Sequence, residues 1–161
     1  MKRLSLLIFL ALMIPVSSFA AGTVIETIEY DHHDVYGHVV VLKYAITADA
    51  AAGTVPNTTI SLRTVDDVDT SQFINLSNFY IYSLKTVPGA GDAQPDAYTV
   101  DIQDGDSFSW VDIGNRSQTA AEVFDCSDTI GIFPPVTEDM TLVVGNLGNS
   151  NTATIYIYLT K

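Results

Sequence analysis

Residues 78–86 alternate, with Phe79, Ile81, Ser83 and Lys85 on one face of an extended chain and Tyr80, Tyr82 and Leu84 on the other. A period of two identifies a β-strand, because successive side chains leave the backbone on opposite sides. Residues 58–63 repeat the pattern with Thr, Ile, Ser, Leu and Arg. Further strand candidates are residues 24–30, 38–47, 98–103, 141–144 and 154–159, all rich in Thr, Val, Ile or Tyr. Such side chains suit a pleated surface better than a helix. Between the candidates lie AAAGTVPN, VPGAGDAQPD, GIFPPVTED and GNLGNSN, which supply the Gly, Pro, Asn and Asp that turns require. One short helix candidate covers residues 117–124, where Ala120, Ala121 and Glu122 follow N-cap residues. About seven to eight strands so punctuated imply an all-β chain folded as an antiparallel β-sandwich, with a jelly roll among the arrangements.

The first twenty residues stand apart. Lys2 and Arg3 precede an apolar run over residues 4–16, and Ser18 and Ala20 place small residues at the −3 and −1 positions of a cleavage site. This is the pattern of an export signal peptide, removed after Ala20. The run is too short to span a bilayer as a helix, and Pro15 interrupts its end. No later stretch is long and apolar enough for a membrane helix. Residues 21–161 then form a single domain, and the expected location is periplasmic or extracellular. Without the leader, five basic residues face nineteen acidic ones, a net charge of −14. Such a surface repels phosphate backbones, which excludes nucleic acid as a partner. The sole cysteine, Cys126, has no intramolecular partner, so the exported domain depends on its core.

Four groupings invite a chemical reading. All three histidines fall in or beside Asp31-His32-His33-Asp34, at His32, His33 and His38. They make either a polar hairpin turn or, from that turn, a transition-metal site. Asp104-Gly105-Asp106 lies in a stretch dense in aspartate. Turn chemistry accounts for it, and Asp104 and Asp106 are the residues for a surface calcium ion, although the spacing does not fit an EF-hand loop. Aromatics recur at i, i+2 in Tyr80/Tyr82, Tyr156/Tyr158 and Phe108/Trp110. Each set lies on one strand face, where it fills a core or forms a stacking platform, and Tyr80, Tyr82 and Trp110 are the residues for a binding surface. Asp112 is expected to lead into a turn at Gly114, and Arg116 to tie the acidic turn down through Asp104 or Asp112. The chain carries no G-x-S-x-G and no phosphate-cradling glycine loop, and among nineteen acids no carboxylate pair stands out as catalytic.

Gln94 to Glu122, QPDAYTVDIQDGDSFSWVDIGNRSQTAAE, resembles a segment of small β-rich proteins encoded in tailed-phage and prophage genomes. Pro95, Tyr98, Val100, Asp104, Asp106 and Asn115-Arg116 follow that family's order of strand, acidic turn and Asn-Arg element. Residues 133–159 resemble its closing Pro-Pro-Val strand, glycine turn and terminal strand. The resemblance implies a non-enzymatic structural or interaction protein, virion-associated or exported to the envelope. Its partners would be other proteins of a virion or cell envelope, or further copies of itself, with no cofactor. A secreted module for a surface glycan or a divalent cation is the second expectation, and a hydrolase with paired carboxylates the third.

Overall fold

The computed structural model describes residues 22–34, 37–65, 73–89, 98–117, 120–127 and 131–161. The expected leader over residues 1–20 lies outside them. The elements in order are β1 (Thr23–Asp34), β2 (Gly37–Thr47), β3 (Thr58–Ile60), β4 (Arg63–Val65), β5 (Phe73–Asn75), β6 (Tyr80–Pro88), β7 (Tyr98–Gln103), β8 (Ser109–Arg116), β9 (Glu122–Asp125), β10 (Met140–Gly145) and β11 (Thr152–Thr160). Among the described residues no helix is long and apolar enough to cross a membrane.

The chain is an all-β sandwich. One antiparallel sheet has the order β1-β2-β11-β6-β9 and the other β3-β10-β7-β8, while β4 and β5 form a small ribbon. The pairs β7·β8, β6·β9, β3·β10 and β2·β11 are nested about one point, the β7–β8 turn, and fall alternately in the two sheets. The sandwich is thus one long hairpin rolled upon itself, which is the jelly-roll arrangement of two Greek keys. β1 adds an edge strand to it. The turn at the centre of the roll is Asp104-Gly105-Asp106, between β7 and β8.

Alternation explains the core. In β11, Ala153, Ile155, Ile157 and Leu159 are buried; in β10, Met140, Leu142 and Val144; in β7, Tyr98, Val100 and Ile102. β2, beside β11 in its sheet, supplies Val40, Leu42, Tyr44 and Ile46 to the same apolar cluster. Burying such side chains contributes roughly 1.5–3 kcal/mol each, enough to hold a domain with no disulfide.

Three sequence expectations are corrected. Among the described residues of the 117–124 segment there is no helix: Glu122–Asp125 is the edge strand β9, paired with β6. Gly114 is no turn, because β8 runs on to Arg116 and Gly114 and Asn115 form a bulge opposite Thr99. The faces of β6 also differ. Phe79 and Ile81 share the core with Leu84 and Thr86, not with Lys85, because one extra residue interrupts the alternation.

Candidate functional site: the outer face of the five-stranded sheet

β11 runs through the centre of its sheet, with its buried residues pointing inward and Thr154, Tyr156, Tyr158 and Thr160 outward. Register then decides their neighbours. Tyr156 is opposite Lys43 of β2 on one side and Lys85 of β6 on the other. Their Nζ atoms lie 5.9 Å and 5.4 Å from the centre of the Tyr156 ring, within range of its negative face. Lys43 Nζ also donates to Glu29 Oε2 at 3.0 Å, and this hydrogen bond and charge raise the lysine pKa above its ordinary value. Lys85 has no carboxylate partner among the described residues.

Next along β11, an apolar groove of about 510 Å³ opens, lined by Val39, Tyr82, Phe133, Tyr158, Leu159 and Thr160. Two irregularities make it. The first is the bulge: Tyr158 faces Ser83 and Leu159 faces Ile81, which leaves Tyr82 as the unpaired residue, 46 % exposed. The second is the segment around Pro134-Pro135, beside β6 where β9 does not reach. Pro134 O accepts from Ile81 N at 2.9 Å, and Val136 N donates to Phe79 O at 2.7 Å. Prolines lack the N–H that a regular strand would donate, so only a single bridge, Tyr80 with Pro135, forms there. The segment carries Phe133, whose ring stands 5.5 Å from that of Tyr82 at 30°.

The residues singled out from sequence divide. Tyr82 lines the groove, and Tyr80 is exposed near it at the Pro135 bridge. Trp110 belongs to the other sheet, where it is the extra residue of a β8 bulge, half-buried against the core. It meets the exposed Phe108 edge-on at 5.4 Å. The three aromatics therefore do not form one surface. Val39, Phe133 and the two lysines were not foreseen. Tyr156 and Tyr158 were visible as an i, i+2 pair, but the lysines beside them depend on register.

Asp104 and Asp106 sit in the central turn. Asp104 Oδ1 accepts from Asp106 N at 3.0 Å and Phe108 N at 2.8 Å, which lets Ser107 adopt its positive φ of 64°. A Cβ on Gly105 would lie 2.8 Å from Glu138 Oε2, the tip of an exposed and flexible side chain. Among the described residues no group of three or more His, Cys, Asp or Glu is placed to hold a metal ion. His33 and His38 face each other across the β1–β2 hairpin, and the His38 ring lies edge-on to Phe79 at 4.8 Å.

Arg116 departs from expectation. Its Nε and Nη2 donate to Gly114 O, Nη1 reaches Glu122 Oε2 at 3.5 Å, and the guanidinium lies 3.8 Å from the Phe124 ring centre. It joins the edge of one sheet to the edge of the other rather than to Asp104 or Asp112. Beneath it runs a row across the five-stranded sheet, Glu26–Tyr44–Ile155–Thr86–Glu122, in register on five strands and interrupted only at its centre by the apolar Ile155. Burial, then the nearby Glu26, drives the Tyr44 pKa far up, and burial raises that of Tyr98 from the facing sheet. Burial also pushes the Cys126 thiol up to about 11, with the Asp125 charge adding to it. A second cleft, of about 470 Å³ between Gly53-Thr54 and Gly145-Asn146, is lined by no ionisable side chain. No protein-family model matches the chain, and comparison with curated proteins and with solved structures finds no significant match.

Proposed function

We propose that this protein is a non-enzymatic interaction protein, exported or virion-associated, that works by binding through the outer face of its five-stranded sheet. The observation that carries it is the Lys43–Tyr156–Lys85 array beside the groove of Tyr82, Phe133 and Tyr158. Cationic and aromatic side chains are gathered there on rigid central strands, a placement suited to recognition. The use made of the aspartates supports a role without catalysis. Asp49 Oδ1 accepts from Ala51 N and Ala52 N, Asp104 caps the central turn, Asp125 holds Ser127, and Asp139 Oδ1 accepts from Leu62 N at 2.7 Å. These carboxylates are engaged by the backbone amides of their loops.

The phage or prophage origin rests on the motif resemblance over residues 94–122 and 133–159. The jelly roll is compatible with it, since capsid and lectin domains both use this fold, and a fold alone selects neither. Mass spectrometry of purified virions, host periplasm and medium tests the assignment. Enrichment in virions supports a virion association, whereas a chain absent from virions and abundant in the medium refutes it and leaves export. The second expectation, a secreted glycan-binding module, is favoured by the same lysine–tyrosine array.

A further inference from the structure

We infer that the outer face of the five-stranded sheet takes an acidic glycan, one whose sugar rings carry carboxylates, with the carboxylate held at Lys85 and Lys43. The inference rests on the binding role proposed for this face and adds the chemistry of the occupant. Charge complementarity is the first ground. The chain has a formal net charge of −12, yet two of its seven basic residues flank a single ring on one sheet face. Lys85 brings a charge that no described carboxylate neutralises, and Lys43 shares one exposed partner, Glu29. An incoming carboxylate gains a contact at the first and can displace Glu29 at the second.

The second ground is the shape beside the charge. Tyr156 and Tyr158 are two residues apart on one strand, so the lysine pair lies about 7 Å from the groove. A ligand that fits both must present a flat apolar face and an anion at that spacing. The C–H face of a sugar ring stacks on Tyr158, Tyr82 and Phe133, and a carboxylate on the same or the next ring reaches the lysines. Tyr82 is 46 % exposed and Phe133 39 %, so the groove is shallow and open. It offers ring faces for stacking, whereas an acyl chain would need enclosure.

The probe is a galacturonate oligosaccharide, and its comparison is the fully methyl-esterified form, which keeps the rings and loses the charges. Titration calorimetry on the wild-type protein at low salt should show the acid binding at least about tenfold more tightly than the ester. Lys85→Met should remove most of that difference, weakening the acid far more than the ester. Tyr158→Ala should weaken both ligands. Equal affinity for acid and ester, or an unchanged acid affinity in Lys85→Met, overturns the inference. So does the absence of any binding. Sedimentation of the same variants separates the two levels: self-association that Tyr82→Ala and Tyr158→Ala abolish, with no uronate binding, leaves the face as an interface between copies and refutes the glycan. Correct folding of each variant is read from its urea midpoint and near-ultraviolet spectrum.

Discussion

Replacing Arg116 by alanine tests how the two sheets are joined at one edge. The guanidinium of β8 lies 3.8 Å over the ring of Phe124 in β9, and Glu122 of the same strand is 3.5 Å from Nη1. A cation over a ring contributes about 1 kcal/mol at such a half-buried site. The ion pair is one-third exposed on its glutamate side, so it is counted at no more than about 0.5 kcal/mol. The bonds to Gly114 O contribute about 1 kcal/mol more. Arg116→Ala should therefore cost about 2–3 kcal/mol, read as a lower urea midpoint at constant slope and a fall in Tm of roughly 5–10 °C. Arg116→Lys should lose about half of that, since an ammonium keeps the charge without the planar fork. A double-mutant cycle with Phe124→Leu isolates the ring term, with an expected coupling of about 1 kcal/mol. Were Arg116→Ala to stay within about 0.5 kcal/mol of wild type, or the cycle to be additive, the edge-to-edge clasp would be refuted.

Four further outcomes follow from the same structure. Tyr44, Tyr98 and Cys126 all have folded-state pKa values above their unfolded ones, so the protonated form is favoured in the fold. Their contribution is complete below pH 9 and is lost above it, first between 9 and about 11 for the thiol and then past 10 for the phenols, at up to about 1.4 kcal/mol per pH unit for each group. Urea unfolding at pH 8 to 10.5 should show the decline, with a shallower slope in Tyr98→Phe. Asp104→Ala removes two bonds to backbone amides and should cost about 1–2 kcal/mol, while Asp104→Asn recovers part of it. Because that carboxylate is already engaged, millimolar calcium should leave Tm unchanged, and a rise would restore Asp104 and Asp106 as a cation site. Cys126 is buried with a raised pKa, so a thiol reagent at pH 8 should react with it only after denaturation.

What the sequence reveals and hides follows from the range of the interactions. β7, β10 and β11 keep a pure period of two, and their inward faces can be read directly from residues such as Val100, Leu142 and Ile157. β6 cannot be read that way. Its alternation looks regular through residues 78–86, but pairing with β11 inserts a bulge at Tyr82 and exchanges the faces beyond it. The Ala-Ala-Glu of residues 120–122 has helical propensity, yet Glu122 accepts from Ser117 N at 2.6 Å and its backbone neighbour is Thr86. Tertiary pairing overrides local preference there. The same holds at the site: two tyrosines on β11 are evident, but Lys43 meets Tyr156 only because strands over a hundred residues apart are neighbours.

The charges and the topology bear on one another. Among the described residues Lys43 and Lys85 lie over Tyr156, Arg116 over Phe124 and Lys161 over Phe79. A chain with nineteen acids has carboxylates enough to pair every cation. A ring attracts a cation through its quadrupole and leaves the net charge in place, whereas a carboxylate cancels it. Arg116 takes both partners, and it serves as a fixed clasp at the sheet edges. Lys85 takes the ring alone, in the middle of a sheet where β2, β11 and β6 fix its position. A structural cation gains from neutralisation, but one that must receive an anion from solution does not. The difference between Arg116 and Lys85 is the physical ground on which the proposed recognition is placed on the face and not at the edge.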